Sequence, residues 1–411
     1  MSEFVFFYKD IILGGCELLI EKIGRTIVEK GSRVRICCKS IDDSMAEKFK
    51  KSRIEVHQLF NWNSNKEIIS WINEDCEVVT FFWDDFVRLY SLKKNRKKTI
   101  LYAVHFQTLA IGANCRYFAL KNLIKKVAVG CVHKFLLSNN ILCMDEQTVR
   151  YTQNYFKNKV LDNNSIYRIV RIPIHIENVE EKNLENRAKN PALNILTIAR
   201  ADFPFKGYLL GLINFIEGLK DKSNLHLDIV SYGSDIDRLK KHIDATSEDT
   251  KRIISLHGRT DYEELRQYYN KAKLYIGMGT TILDASQQGI ISIPVVPYTD
   301  ELIADKFFHE DYKALAVDDV VTNNMIKLFI YVRSLGYEKY LELSEKTRNE
   351  VIENYSVEKT VKDLLNNFEE ISYDKFCLGI FIFKWIDTMQ YLMQKIKAAM
   401  VWIFRRNKRN L

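Results

Sequence analysis

Proline is scarce in this chain, with five residues in 411, and no internal repeat or low-complexity tract is present. A collagen-like or proline-rich disordered protein is therefore excluded. None of the eight cysteines belongs to a C-x-x-C pair, and Cys37 and Cys38 are adjacent. This spacing suits neither a zinc knuckle nor a bridge within the chain. We therefore expect buried thiols in a reducing compartment.

The sequence also lacks a run of about twenty uninterrupted apolar residues, so no membrane-spanning helix is predicted. A secretory signal has a basic stretch followed by an apolar core. The first residues of this chain include Glu3 and do not show that pattern. We expect a cytoplasmic protein. No set of histidines, cysteines and carboxylates has metal-ligand spacing, so neither a metal nor a cofactor is predicted.

Apolar residues are abundant, at 47% of the chain, and are enough to fill more than one core. A length of 411 residues suits two domains. The net charge of +8 is modest for this size, and much of it lies near the C-terminus. Nucleic acid is therefore not an expected partner.

Short apolar segments alternate with amphipathic segments in the first half. A strand over 4–8, a turn with Gly14 and Gly15, a helix over 17–30 and a strand over 34–38 form a β-α-β unit. The glycine turn is not the G-x-G-x-x-G fingerprint of dinucleotide-binding folds. Further predicted strands cover 54–59, 78–83, 99–105 and 169–176, and a helix is predicted near 147–156.

A second alternating series follows a polar run that ends at Pro191. Strands are predicted over 193–198, 225–230, 253–256, 274–276 and 292–296, and helices over 207–219, 235–244, 262–270 and 282–288. The pattern predicts an α/β protein with two facing doubly wound Rossmann-like domains. The predicted boundaries are 1–176 for the first domain, 177–191 for a linker, 192–370 for the second domain and 371–411 for a tail.

The stretch 274–296 is the most suggestive part of the second series. A buried strand is followed by a turn with Gly279, Thr280 and Thr281, and then by a helix with Asp284 in its predicted first turn. Such a unit brings free N–H groups and the positive end of a helix dipole to one point, which suits an anion. An ordinary βαβ connection with a small-residue turn is the alternative.

Charged residues follow another strand of the same series. Arg200 and Lys206 lie between the strand over 193–198 and the next helix, where they could bind phosphate oxygens. Gly233 would let a base or sugar approach the backbone, and Asp284 could accept from ribose hydroxyls. The alternatives are a surface ion pair for Arg200 and Lys206, and a helix N-terminal charge for Asp284.

These motifs resemble the retaining GT-B glycosyltransferases of glycosyltransferase family 4 (group 1), over about residues 4–370. The resemblance is carried by LGGCELLIEKIGRTIVEKGSRVRI, ILYAVHFQT, LTIARADFPFKG, SLHGRTDYEELRQYYNKAKLYIGMGTTILDASQQG and YSVEKTVKDLLNNFEEI. It implies that Arg200 and Lys206 hold the donor diphosphate and that Asp284 holds the ribose. Gly14 and Gly15 would admit donor or acceptor, and His105 would face the transferring sugar. The alternative for His105 is a strand-end histidine that is simply hydrogen-bonded.

Two positions depart from the family pattern. Asp284 stands at the second acid of the usual Glu-x7-Glu pair, whereas Ile276 stands at the first. The sugar-binding work of that acid would then fall to backbone N–H groups and hydroxyls of Gly279, Thr280 and Thr281. The usual Gly-x-Pro is absent, since Gly289 is followed by two isoleucines.

The resemblance also implies a mechanism. Negative charge grows on the leaving phosphate as the anomeric bond breaks, and Arg200, Lys206 and helix N-termini would stabilise it. The leaving phosphate would accept the proton of the acceptor.

Residues 376–411 lie beyond the α/β pattern. Apolar residues at helical spacing precede four terminal cations, Arg405, Arg406, Lys408 and Arg409. This arrangement favours a helix that lies on an anionic membrane surface. A helix packed on the protein itself or on a partner is the alternative.

We therefore predict a glycosyltransferase, peripheral at the inner face of a membrane, that uses a nucleotide-diphosphate sugar and a glycan or lipid-linked glycan acceptor in surface polysaccharide assembly. Two alternatives stay open: a nucleotide-sugar epimerase on the same fold, and an inactive donor-binding scaffold of a glycan assembly complex.

Overall fold

The computed structural model describes residues 3–62, 64–72, 76–92, 98–113, 118–157, 159, 168–310, 322–370, 379, 382, 383 and 385. The chain forms two compact units. Unit 1 consists of Met1–Ile172 and Thr360–Leu411, and unit 2 consists of Pro173–Lys359.

Unit 1 is built on a parallel sheet with the strand order β5-β3-β1-β6-β7-β8-β9. The strands are β1 (Glu3–Phe7), β3 (Arg33–Cys38), β5 (Glu55–Gln58), β6 (Glu77–Thr80), β7 (Thr99–Ala103), β8 (Ile141–Cys143) and β9 (Arg168–Ile169), and a separate short pair is formed by β2 (Asp10–Ile11) and β4 (Ser40–Ile41). The helices are α1 (Gly15–Glu29), α2 (Asp43–Lys51), α3 (Asn65–Trp71), α4 (Trp83–Leu92), α5 (Phe118–Leu137) and α6 (Glu146–Tyr155). The central strand β1 is apolar on both faces because both are covered, as parallel sheets require.

Unit 2 is built on a second parallel sheet with the order β12-β11-β10-β13-β14. Its strands are β10 (Leu193–Arg200), β11 (Leu225–Tyr232), β12 (Ile254–His257), β13 (Leu274–Gly277) and β14 (Ile291–Pro294). Its helices are α7 (Glu181–Lys189), α8 (Tyr208–Glu217), α9 (Ile236–Asp244), α10 (Glu248–Ile253), α11 (Tyr262–Lys271), α12 (Thr280–Gln287), α13 (Met325–Arg333) and α14 (Tyr337–Tyr355), with a 3-10 turn at Phe308–Glu310. The last helix, α15 (Val357–Glu370), runs from unit 2 into unit 1.

The predicted α/β class with parallel sheets is confirmed, but two local expectations are not. The strand expected over 78–83 ends at Thr80, and Trp83 already begins α4, since Asp84 and Asp85 suit a helix N-terminus. The strand expected over 169–176 is reduced to β9 and a single bridge between Ile174 and Ser356. Proline in the middle of this stretch has no N–H to donate to a ladder.

The segment 177–191, expected as a linker, contains α7 and belongs to unit 2. One reason is visible in Arg187, whose side chain is buried within that unit. Residues 360–370, expected in the second domain, belong to unit 1.

Most of the predicted membrane helix over 376–411 lies outside the described residues. Of the described ones, Phe383 is buried in unit 1 with its ring 5.5 Å from that of Trp83, whereas Trp385 is exposed. Within the described part of the chain, no helix combines the length and the apolarity needed to cross a bilayer.

Candidate functional site

The chain order of unit 2 creates a switch point at the centre of its sheet. From β10 the chain moves to β11 and β12 on one side, whereas β13 lies on the other side of β10. In sheets of this kind, ligands bind beyond the carboxyl ends of the two strands that flank the switch point. Here these ends are Arg200 of β10 and Gly277 of β13.

The turn after β13 is shaped by Gly279, the residue before α12. Its φ of +82° lies in the left-handed region that glycine adopts without strain. No side chain caps the helix N-terminus here. The first N–H groups of α12 therefore face outward at the switch point, where they can bind an anion.

Lys206 and Arg200 bring two cations to the same turn. The Lys206 ammonium lies 3.8 Å from the point that a β-carbon on Gly279 would occupy. Burial, and then the neighbouring charge of Arg200, lower the pKa of Lys206 to about 8. The largely exposed Arg200 places its Nε 3.2 Å from a carboxylate oxygen of Asp202. The predicted phosphate-binding groups thus converge.

Thr281 serves the scaffold rather than an open site. Its hydroxyl donates to the carbonyl oxygen of Ile198 at 3.1 Å and accepts from the hydroxyl of Tyr275 at 2.6 Å. This chain of hydrogen bonds joins α12 to the ends of β10 and β13. The Thr281 hydroxyl is therefore already engaged, and its backbone N–H is the group left for a ligand.

Asp284 lies in the second turn of α12, not in the first as predicted. The helix begins at Thr280, two residues earlier than expected, because Gly279 makes the turn. The carboxylate is half-buried, and its charge is one of the causes that raise the pKa of the buried Tyr275 hydroxyl.

Gly233 has a structural reason to be glycine. Its φ is +135°, and a β-carbon there would come within 2.8 Å of the carbonyl oxygen of Ala201. The same carbonyl accepts from the N–H of Asp235 at 2.9 Å. Gly233 therefore allows the loops after β10 and β11 to touch, and its predicted contact with a nucleotide stays a prediction.

Gly14 precedes α1 in unit 1, and Gly15 is the first residue of that helix. The carboxylate of Glu17, a buried residue, lies 2.7 Å from the point that a β-carbon on Gly14 would occupy. The positive end of α1 thus already has a negative charge of its own, which makes it a poorer site for phosphate. Among the described residues, no heavy atom lies within 4 Å of the point that a β-carbon on Gly15 would occupy.

His105 follows β7 at the carboxyl edge of the sheet in unit 1. Its Nδ1 accepts from the N–H of Gln107 at 3.1 Å, and its ring stacks on Phe106 with the centroids 4.6 Å apart. Burial lowers its pKa, which favours the neutral ring. With Nδ1 as acceptor, the hydrogen bond assigns the proton to Nε2, so the ring can donate to a ligand oxygen.

A further group of residues, not predicted from the sequence, lies at the switch point of unit 1, between β1 and β6. The ring of Tyr8 after β1 lies 5.4 Å from that of the exposed Phe82 after β6. Beside them Asp85 is only 9% exposed. Burial first, and then the charge of Asp84, raise its pKa to about 7, whereas Arg88 opposes the shift. The signal was a pair of acidic residues directly after a buried strand.

The predicted site residues thus fall into two sets. The first set lies at the switch point of unit 2 and consists of Arg200, Lys206, Gly279 and Thr280. Asp284 lies further along α12. His105, Gly14 and Gly15 belong to unit 1. Among the residues that the structure describes, no group of three or more histidines, cysteines and carboxylates is arranged to hold a metal ion.

No protein-family profile and no curated protein matches the sequence. Solved structures do resemble it. A glycosyltransferase from Rickettsia africae has 15% sequence identity and a TM-score of 0.63, and the match covers 91% of this chain and 99% of that one. HepE from Anabaena, in complex with UDP-glucose, has 10% identity and a TM-score of 0.60, with 90% and 100% covered.

A third similar structure is a variant of TarM from S. aureus, in complex with fondaparinux, alpha-GlcNAc-glycerol and UDP. It has 12% identity and a TM-score of 0.58, with 90% of this chain and 100% of that one covered. At such low identity these likenesses concern the fold, which is the GT-B fold of glycosyltransferases.

Proposed function

We propose that this protein is a retaining glycosyltransferase that moves a sugar from a nucleotide-diphosphate sugar to a glycan or lipid-linked glycan. The observation that carries the proposal is the convergence of Arg200, Lys206 and the uncapped N-terminus of α12 at one switch point. Three sources of positive potential at one point suit a diphosphate. The bound UDP-glucose of HepE and the bound UDP of TarM support the same ligand class.

The proposed chemistry places the growing charge of the transition state on the leaving phosphate. The Lys206 ammonium and the N–H groups of α12 stabilise that charge without moving, since both are held by the fold. Arg200 adds a planar donor fork from the exposed side. A bound diphosphate also raises the pKa of Lys206, which keeps the ammonium charged during the reaction.

The nucleoside and the sugar are assigned to neighbouring groups. Asp284, one turn further along α12, accepts from the ribose hydroxyls. Ile276 is fully buried in β13, so it offers no carboxylate to the sugar. In this proposal the N–H groups of Gly279 and Thr280 bind the sugar instead, and the Nε2 proton of His105 donates to one of its hydroxyls.

The acceptor is assigned to the carboxyl edge of the sheet in unit 1. Phe82 offers an exposed aromatic ring there, and the buried Tyr8 and Asp85 lie beside it. Aromatic rings beside a carboxylate suit a polyhydroxylated ring with one apolar face. The tail over 376–411 would keep the protein at the inner face of a membrane, where lipid-linked glycans of surface polysaccharides are assembled.

Release of nucleotide from a panel of nucleotide sugars tests the proposal, with and without glycan acceptors. We expect one donor to release nucleoside diphosphate, and Arg200→Ala to slow this strongly. The control is Arg238→Ala, which removes another exposed arginine of unit 2 that pairs with Asp300. Interconversion of the free nucleotide sugar would instead indicate an epimerase. Donor binding without turnover or interconversion would indicate a scaffold.

A further inference from the structure

The C-terminal end of α12 is held by three side chains from two other helices of unit 2. Arg348 of α14 donates to the carbonyl oxygen of Gln287, and Arg187 of α7 donates to that of Gln288. Ser344 of α14 donates to the carbonyl oxygen of Gly289. Three successive carbonyls that the helix itself leaves unsatisfied are thereby bonded.

Two of these donors carry positive charge at the negative end of the helix dipole. Arg187 is 2% exposed, and it also donates to the carbonyl oxygen of Tyr269 at 2.9 Å. Burial lowers its pKa. A buried guanidinium that binds backbone carbonyls is costly to move, because any displacement would leave it without compensation. The end of α12 is therefore fixed.

Glu177 ties this end to the segment 173–177, where the chain enters unit 2. Its N–H donates to Oε1 of Gln287 at 3.0 Å, and its Oε2 accepts from Nε2 of Gln288, also at 3.0 Å. Arg266 of α11 binds the same carboxylate oxygen at 3.3 Å. Arg348 completes the connection, since it also donates to the carbonyl oxygen of Glu177 at 3.0 Å.

The segment 173–177 is in turn bonded to the segment where the chain leaves unit 2. The N–H of Ile174 donates to the carbonyl oxygen of Tyr355 at 2.8 Å, and the N–H of Val357 donates to that of Ile174 at 3.1 Å. Hydrogen bonds at Glu177 and at Ile174, joined by the short backbone segment between them, thus connect the end of α12 to both crossings of the chain.

We propose that Glu177 is a positioning residue for the donor site, which couples anion binding at the N-terminus of α12 to the two chain crossings. The inference rests on the proposed function for the identity of the anion. An eight-residue α-helix is a rod of about 12 Å. A rod fixed at its C-terminal end presents its N–H groups in one place, and a site arranged before binding gains affinity.

The test uses inorganic pyrophosphate, which probes the anion site without base or sugar. Gln288→Glu places two carboxylates about 3 Å apart in place of a hydrogen bond of 3.0 Å, and we expect it to weaken pyrophosphate binding about tenfold. The exchanged pair, Glu177→Gln with Gln288→Glu, again joins an amide to a carboxylate. It should return affinity to within about twofold of the original chain, as compensating neighbours do.

Amide hydrogen exchange supplies a readout that a merely structural role would not move. Pyrophosphate should slow exchange at Ile174 and Val357 in the original chain and in the exchanged pair, but not in Gln288→Glu. Asp221→Asn is the stability control, because it weakens the pair with Arg333, whose nitrogen lies 2.6 Å from the carboxylate, without touching α12. Should Gln288→Glu fail to fold, Glu177→Gln alone should weaken binding and reduce the protection.

The proposal is overturned if the folded variants bind pyrophosphate as the original chain does, or if exchange at both crossings is unaffected by the ligand. A failure of the proposed function looks different. In that case the original chain itself binds no pyrophosphate or turns over no nucleotide sugar.

Discussion

The Tyr275 hydroxyl donates to the Thr281 hydroxyl across 2.6 Å, and Thr281 passes the chain of hydrogen bonds on to the carbonyl oxygen of Ile198. Two residues of the stretch 274–296 thus hold the turn that precedes α12 against the end of β10. Tyr275 is fully buried, so its hydroxyl depends on this partner and on Ile198. These buried hydrogen bonds therefore fix the geometry of the anion site.

This relationship gives a prediction for Thr281. Replacement by valine keeps the shape and removes the hydroxyl, which should lower the free energy of unfolding by about 1–2 kcal/mol. Pyrophosphate binding should weaken as well, because the turn at Gly279 loses its support. Thr281→Ser keeps the hydroxyl and is the control. Thermal unfolding and calorimetric titration check both effects, and equal behaviour of the two variants would refute the assignment.

Lys206 should make nucleotide binding depend on pH. Its pKa of about 8 means that the ammonium is charged below that pH and neutral above it. A bound diphosphate favours the charged form, so binding near pH 8 to 9 should take up a proton. Affinity for UDP should then fall by up to about tenfold per pH unit as the pH rises above 8.

Lys206→Arg separates this effect from titration of the ligand. Arginine stays charged throughout this range, so the variant should bind UDP with little dependence on pH between 7.5 and 9.5. Titration calorimetry in buffers of different ionisation enthalpy measures the linked proton. A parallel fall of affinity in both proteins would show that another group titrates.

The sequence predicts those parts of this site that depend on strand order or on neighbouring residues in the chain. The shared location of Arg200, Lys206 and Gly279 could be predicted, because the carboxyl ends of parallel strands meet at one edge of the sheet. Their role in binding a donor stays a prediction. The start of α12 was misplaced because its first turn depends on a glycine with φ of +82°, whereas Thr280 and Thr281 read as turn residues. No short-range sequence pattern distinguishes a turn at Thr280 and Thr281 from the first turn of a helix.

The support behind the site could not be predicted, because it joins residues far apart in sequence. Arg187 lies 101 residues from Gln288, and Arg348 lies 171 residues from Glu177. In the sequence, both arginines lie in polar, charged segments, which normally indicates a solvated surface. Only the fold shows that these guanidinium groups bind the end of α12.

Asp85 gives a prediction for stability. Its pKa in the folded protein is about 7, above its ordinary value of 3.8. The folded state therefore binds the proton more tightly, and the stabilisation by this proton is complete below about pH 4 and is lost as the pH rises to about 7. Since each pKa unit corresponds to about 1.4 kcal/mol, the full effect is at most on the order of 4 kcal/mol.

Asp85→Asn removes this dependence, because the amide stays neutral. We expect the variant to be more stable than the original chain at pH 8 and close to it at pH 4. Chemical unfolding at both values measures the difference. Asp237→Asn, at an exposed position on α9, is the control. A variant that is destabilised equally at both values would mean that the carboxyl group has a required partner.

His105 should affect turnover more than stability. His105→Ala removes the Nε2 donor and the stacking on Phe106, so a donor role predicts a loss of turnover of about 10²-fold or more. His105→Gln retains a terminal N–H group and should recover part of the activity. A large fall in melting temperature with ordinary specific activity would instead make the histidine structural.

The tail should bind anionic membranes through its terminal cations together with its apolar face. Each basic residue close to an anionic surface contributes about 1 kcal/mol, so Arg405→Gln with Arg406→Gln should weaken binding to anionic vesicles about 30-fold. The matched control replaces two exposed lysines of α9, Lys240 and Lys241, by glutamine and should change little. Added salt should release the original chain, since such attractions are screened over about 8 Å at physiological ionic strength.

A truncation that tests the tail has to keep the residues that pack on the body of unit 1. Phe383 is buried beside Trp83, so a chain that ends after residue 386 keeps this contact, whereas one that ends after 370 exposes an apolar surface. We expect the chain that ends after residue 386 to fold and to turn over a short soluble acceptor normally. It should lose activity towards an acceptor embedded in vesicles. Vesicle sedimentation and activity on the two acceptors measure this. If that product still sediments with anionic vesicles as the full chain does, the anchor lies elsewhere. If it unfolds, the deleted residues 387–411 pack on the protein instead of the membrane.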